Sequence, residues 1–178
     1  LLVPGASGQL GRRVIQLLVE TGAQNLIAGT RKPENLADIA AQGVTVRHVD
    51  FDDAASMAAA FTGVDRLLLI STDVVGVPGA RQQQHLAAVQ AAAKAGVKHI
   101  IYTSLVNPVE TPVTLAPDHA ATEAALAATR SMEERRLRVA VRDDLHTATE
   151  DLALLEAELS LEERHPAFAA AARQRGQR

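Results

Sequence analysis

Three glycines spaced by three, Gly5, Gly8 and Gly11, separate a short apolar run at residues 1–3 from a stretch in which Leu10, Val14, Leu17 and Leu18 recur at helical spacing. Strand, glycine turn and amphipathic helix in direct succession constrain the chain more than any other feature. The spacing is that of a turn whose first glycine leaves the strand sharply, whose second lets a ligand approach the backbone, and whose third lets the helix pack closely. The free N–H groups and positive dipole end of such a helix attract phosphate. An ordinary flexible turn is the alternative, so the surrounding elements must decide.

Those elements alternate along the first 130 residues. The spacing predicts strands at 1–3, 25–30, 44–49, 67–70 and 99–103. Helices are expected at 10–21, from Pro33 to near Gly43, at 53–61, from about 80 to 95, and at 118–129. Inward positions on the helices are expected to be Met57 and Phe61, then Leu86, Val89 and Ala93. The run Leu67-Leu68-Leu69-Ile70 is too short for a helix and apolar on both faces, as a central parallel strand is. The fold class that follows is α/β: a Rossmann-like doubly wound parallel sheet with helices on both faces and a helical C-terminal extension. Residues 1–130 read as the NAD(P)-binding domain. Residues 131–178 read as a divergent or truncated segment, with a short strand at 137–141 and an apolar stripe of Leu152, Leu155 and Leu159 on a helix at 149–161.

In a dinucleotide fold the end of the second strand chooses the cofactor, since an acid there bonds the ribose of NAD and a base meets the extra phosphate of NADP. The chain has Arg31 and Lys32 at that point, with no acid between them and the strand. Arg31 is suited to pair with the 2′-phosphate and stack on adenine, and Lys32 adds charge. A solvated basic pair is the plain alternative. After the third strand, Asp50 is a candidate acceptor for the adenine amino group and Phe51 a neighbour of the ring, while Asp52 and Asp53 suit a helix start. NADPH is therefore the expected cofactor, with Gly5, Ala6, Ser7, Gly8, Gln9, Leu10 and Gly11 around its phosphates.

Composition excludes other classes. The 178 residues carry a formal net charge of −3 and no cysteine, so neither nucleic acid nor a thiolate metal site is expected. None of the six histidines falls in a ligand spacing such as H-E-x-x-H, and most read as surface groups. No apolar stretch approaches a membrane span and no leader is evident, so a cytoplasmic protein is expected. Aromatic residues make up 2% of the chain, which leaves few rings to wall a substrate pocket.

Taken in order, the segments 5–11, 30–33, 41–44, 61–65, 67–71, 95–100 and 102–105, with His119 and Thr122-Glu123, resemble the NmrA-like branch of the atypical short-chain dehydrogenase/reductases. Within it, they resemble the type-2 NAD(P)H:quinone oxidoreductases. The resemblance implies a nicotinamide near the loops after strands four and five, lined by Ile70 and Ser71, with Tyr102, Thr103 and Ser104 beneath it. It also gives His119 a site role, as a proton donor to a bound quinone, with Tyr102 as a second catalytic candidate. On the residues alone, His119 reads equally as a polar surface group and Tyr102 as a packed strand residue.

Two departures shape the expectation. The Tyr-x-x-x-Lys pair of standard short-chain dehydrogenases is absent, since Leu105 and Val106 follow Tyr102 without a lysine, and His119 stands where many NmrA-like enzymes keep a lysine. The length also leaves no room for the substrate domain that follows the sixth strand in the family. The resemblance thus implies hydride transfer from NADPH to a small molecule such as a quinone, with a second subunit completing the pocket as one arrangement. The alternative is a non-catalytic NADP-binding redox sensor.

Overall fold

The computed structural model describes residues 1–129 and 138–140, the last three as backbone alone. Residues 1–140 form one compact unit. The expected boundary at 130, and the helix expected at 149–161, lie outside the described residues.

Six parallel strands make one sheet: β1 (Leu2–Val3), β2 (Ile27–Thr30), β3 (Thr45–His48), β4 (Arg66–Leu69), β5 (His99–Ser104) and β6 (Arg138–Ala140). Their spatial order is β3-β2-β1-β4-β5-β6, so the chain winds outward from β1 in one direction and then, through β4, in the other. Between β1 and β4, where Leu2 pairs with Leu67, connections leave to opposite sides and a crevice opens at the carboxyl ends. This is the doubly wound fold expected from the sequence.

The connecting helices are α1 (Gln9–Glu20), α2 (Ala37–Ala40), α3 (Ala54–Phe61), α4 (Ala80–Lys94) and α5 (Ala116–Ala128). Leu67 and Leu69 of β4 point into a core with Met57 and Phe61 of α3, Val89 and Ala92 of α4, and Leu126 of α5. Leu68 is equally buried yet belongs to the opposite face. The uninterrupted apolar run of β4 is therefore explained by burial on both sides. Asp53 starts α3 as expected, its carboxylate accepting from the Ala55 N–H at 2.9 Å.

Three expectations need correction. The helix after Pro33 is a 3-10 turn, Pro33–Leu36, followed by the single turn of α2. No side chain caps either piece, and the segment returns to β3 within a few residues, so a long helix has no room. On α1 the buried residues are Gly11, Val14, Ile15 and Leu18, while Leu10 and Leu17 are only half-buried. The inward stripe of α4 is rotated as well: Arg81, Gln84, His85, Ala88, Val89 and Ala92 are buried, while Leu86 and Ala93 are half-buried. Three polar side chains occupy the inner face because each finds a partner, Arg81 and His85 the buried His119 and Thr122 and Gln84 the exposed Asp52 carboxylate, a compensation invisible to apolar periodicity.

Candidate functional site

The glycine turn is built as its spacing predicts, with one change of reason at Gly11. A Cβ on Gly11 would lie 2.4 Å from the Gly5 carbonyl oxygen and 2.9 Å from the Ala6 Cα. The close approach is thus between the helix and the turn's own backbone, ahead of any contact with the sheet. Gly5 adopts φ +71°, a conformation that side chains disfavour. A Cβ on Gly8 would meet the same Gly5 oxygen at 3.2 Å. The first turn of α1 has no side-chain cap, which leaves its amides available to an anion.

A cavity of about 510 Å³ opens over this turn. Gly5, Ser7, Gly8, Gln9, Leu10 and Gly11 line one wall, Arg31, Asp50 and Phe51 a second, and Ile70 and Ser71 a third, continuing through Thr72, Asp73 and Val74 with Gln84 opposite. The crevice therefore runs from the ends of β2 and β3 across β1 to the end of β4. Arg31 has no hydrogen-bond or ion-pair partner among the described residues, and neither does the Lys32 side chain. Arg31 and Lys32 are both exposed, and Arg31 is on the lining. The Asp50 Oδ1 holds the Asp52 N–H at 3.0 Å, which turns the chain at the cavity wall. Ala6 is buried behind the turn, with its N–H donating to the Gly29 carbonyl at 2.9 Å.

The residues expected beneath the nicotinamide are brought together in a buried layer beside this cavity, and they do not line it. The Ser71 N–H donates to Thr103 Oγ1 at 2.8 Å, and Ser104 Oγ donates to Glu123 Oε1 at 2.7 Å. Tyr102 and His119 are both buried and meet each other, with His119 Nδ1 2.8 Å from the Tyr102 hydroxyl. His85, which the sequence did not set apart among histidines read mostly as surface groups, is fully buried and lies between Tyr102 and Thr122.

Donor and acceptor chemistry fixes the protons here. The Thr72 N–H donates to His85 Nε2 at 2.9 Å, so the imidazole proton of His85 is on Nδ1, facing Thr122 Oγ1 at 3.0 Å. Thr122 passes its own proton to the Asp118 carbonyl at 2.7 Å. A guanidinium can only donate, and Arg81 Nη2 lies 3.0 Å from His119 Nε2. His119 therefore carries its proton on Nδ1 and gives it to the Tyr102 oxygen. Arg81 also donates to the Thr72 carbonyl, so both polar atoms of the Thr72 peptide are gripped from this layer.

Burial sets the protonation states. It pushes His85 down to about 3, helped by the nearby Arg81 charge. It lowers His119 as well, again with Arg81 adding to the effect. Burial raises the Tyr102 phenol to about 12. Near neutral pH both imidazoles are uncharged and the phenol keeps its proton. That state suits a scaffold better than a proton donor. The sequence missed Arg81, His85, Thr72 and Gln84. A buried arginine and a buried histidine four residues apart on one helix face carry no signal apart from the partners supplied by β5 and α5.

Fold and crevice together define a dinucleotide-binding protein of the doubly wound class. A family model described as NAD(P)H-binding matches residues 5–142, and the chain belongs to that family, in its NmrA-like branch. It is 44% identical over 126 residues to quinone oxidoreductase 2 of Escherichia coli strain K12, covering 70% of this chain and 43% of the relative. Among solved structures, the triphenylmethane reductase of a Citrobacter species complexed with NADP(H) aligns with a TM-score of 0.74 at 40% identity, covering 82% of this chain and 51% of that one. The NADPH-dependent quinone oxidoreductase QOR2 of Escherichia coli complexed with NADPH gives 0.71 at 39% identity, covering 88% and 54%. The chain spans about half the length of these relatives. Among the described residues no helix is long and apolar enough to cross a membrane.

The residues present fit the family's cofactor. Gly11 leaves no room for a side chain and Gly8 only a tight one, the first amides of α1 are uncapped, and Arg31, on the same cavity, is a cation without a partner among the described residues. These are the groups that a pyrophosphate and a further phosphate require.

Proposed function

We propose that the chain binds NADPH in preference to NADH and forms the cofactor-binding part of a reductase whose acceptor is a small molecule of the quinone type. The single observation that carries this reading is the continuous cavity, with an uncapped helix start and Arg31 at one end and Ile70 to Val74 at the other. The quinone rests on the likeness to quinone oxidoreductase 2 of Escherichia coli.

In this reading residues 5–11 hold the pyrophosphate, Arg31 and Lys32 the 2′-phosphate, and Asp50 and Phe51 flank the adenine. Ile70 and Ser71 lie against the nicotinamide, with Thr103 and Ser104 supporting them from β5. NADPH supplies the hydride, and the protein's contribution is orientation. Tyr102 and His119, expected at the acceptor, act from one layer away: through Arg81 and His85 they hold the Thr72 peptide at the cavity wall. The remaining proton for the acceptor comes from solvent, since neither imidazole is charged near neutral pH.

A second reading, an NADP-binding sensor without turnover, is favoured by the burial of Tyr102 and His119 away from the cavity. One experiment separates the two: titrate the protein with NADPH by its fluorescence, then add a quinone and follow the loss of absorbance. The reductase reading expects both binding and turnover. Binding without turnover selects the sensor, and absence of NADPH binding overturns both. Arg31→Ala is expected to weaken NADPH by about ten- to a hundredfold, from the 1.5–3 kcal/mol of a charge-assisted contact, and to leave NADH unchanged. Equal losses for the two cofactors would remove Arg31 from the 2′-phosphate site.

A further inference from the structure

Arg12 lies in the first turn of α1, one residue beyond the glycine turn, and its side chain crosses to the segment that follows β2. Its Nη1 bonds Asp38 Oδ2 at 2.6 Å and its Nη2 bonds the Asn35 carbonyl at 3.0 Å. The Asn35 N–H in turn bonds the Lys32 carbonyl at 3.0 Å, and the Lys32 N–H reaches Thr30 Oγ1 at 3.2 Å. Thr30 Oγ1 donates to Ser7 Oγ at 3.0 Å. The Arg12 N–H bonds the Gly8 carbonyl at 3.0 Å, which returns the path to the glycine turn. Glycine turn, strand end, 3-10 turn and helix start are thus tied into one ring, and Arg31, which has no partner among the described residues, lies between Thr30 and Lys32 of that ring at the cavity edge.

We infer that Arg12 is a cofactor-specificity residue: by occupying the Asp38 carboxylate it removes a negative charge that would otherwise face the 2′-phosphate beside Arg31 and Lys32. The inference rests on the NADPH reading above. Asp38 is exposed, yet its hydrogen bond to Arg12, followed by the guanidinium's charge, keeps its carboxyl below the ordinary range, so it stays ionised. Glu34, the acid of the 3-10 turn, is exposed and does not share Arg12. An unpaired carboxylate near a dianionic phosphate opposes binding even in water, at an energy comparable to the thermal energy for separations of several ångströms. NADH lacks that phosphate and is indifferent to the charge.

The test compares NADPH and NADH dissociation constants at low salt for the wild type, Arg12→Ala, Asp38→Asn and the double variant. Arg12→Ala is expected to weaken NADPH roughly fivefold with little change for NADH, and the loss should shrink in high salt. Adding Asp38→Asn to Arg12→Ala should restore NADPH affinity, and Asp38→Asn alone should hold or raise it. A purely mechanical staple behaves otherwise, because either single change breaks the same contact. If Asp38→Asn weakens NADPH as much as Arg12→Ala does, or if the double variant stays weak, the inference is overturned, and Asp38→Asn decides this even where Arg12→Ala fails to fold. A wild type without any preference for NADPH would overturn the underlying reading itself, before any variant is compared.

Discussion

The two ends of the crevice handle polar groups in opposite ways. At the end built from β1, β2 and α1, the first amides of the helix are uncapped and Arg31 has no partner among the described residues, so groups that want an anion are left facing a cavity. At the end built from β4 and β5, Arg81, His85, Tyr102, His119 and Thr122 are buried and bonded to one another, and among the described residues only Arg81 Nε, 3.9 Å from Asp118 Oδ2, and Thr72 Oγ1 are buried side-chain atoms left without a hydrogen bond. Unmet polar groups mark where a ligand supplies the missing half of each bond. Satisfied ones mark where the protein spends its polar groups on holding shape. The same crevice thus has a receptive end and a rigid end.

The largest expected effect breaks the receptive end. Gly11→Ala forces a Cβ into backbone atoms that no rotamer change relieves, so α1 must move off the turn. We expect about 2–3 kcal/mol of destabilisation, as for other overpacked sites, together with loss of tight NADPH binding because the helix amides leave the phosphate position. Thermal unfolding and a fluorescence titration measure the two effects. Normal affinity in a folded Gly11→Ala protein would show that the turn's close packing does not position those amides.

How much of this contrast was legible in the sequence follows from the same division. The receptive end depends on backbone geometry, and glycines at fixed spacing between a strand and a helix report that geometry directly. Gly5, Gly8, Gly11, Arg31, Asp50 and Phe51 were therefore picked out from the order of the elements, Ile70 and Ser71 from the family resemblance, and all line the cavity. The rigid end depends on pairings between α4, β5 and α5 at long separations, such as Arg81 with His119 and His85 with Thr122. Apolar periodicity assigns polar residues to the outside, so it rotated α4 and did not set His85 apart. Tyr102 and His119 were singled out as catalytic candidates; the packing of Tyr102 in its strand was read from the residues, whereas the burial of His119 against Arg81 and Tyr102 is set by tertiary contacts that a linear pattern does not encode.

The next effect tests the rigid end through its titration. His85 has a folded-state value of about 3, below the roughly 6.5 of a free imidazole. A depressed histidine favours the fold in its neutral form. Its contribution is fully present above about pH 6.5 and is lost as the pH falls towards 3, because the unfolded chain takes up the proton first. His119 is depressed in the same direction. His85→Phe keeps a flat ring, slightly larger, but takes their imidazole partner from the Thr72 N–H and the Thr122 hydroxyl, and is expected to cost about 2 kcal/mol at pH 7.5. The gap between variant and wild type should narrow as the pH drops, since only the wild type pays for protonating this ring. Denaturant unfolding at pH 7.5 and pH 5 measures it, and a gap that widens on acidification would show that His85 is charged in the fold.

The smallest expected effect separates the two ends most sharply. Tyr102→Phe removes one hydroxyl that accepts from His119 at 2.8 Å and lies 3.3 Å from His85 Nδ1. His85 keeps Thr122 and His119 keeps Arg81 on its other nitrogen, while the His119 Nδ1–H loses its acceptor and Thr122 its contact with the phenol, with a cost of about 1–2 kcal/mol in stability. NADPH affinity should be unchanged, because nothing on the cavity wall is touched. If quinone turnover exists, kcat should fall by no more than about threefold, the effect of a slightly loosened Thr72, with an unchanged pH profile. A drop of a hundredfold or more in kcat at constant stability, the scale of general acid–base catalysis, would mean that the phenol reaches the acceptor. The buried layer would then belong to the reacting end of the crevice, and the division between a receptive and a rigid end would have to be redrawn around it.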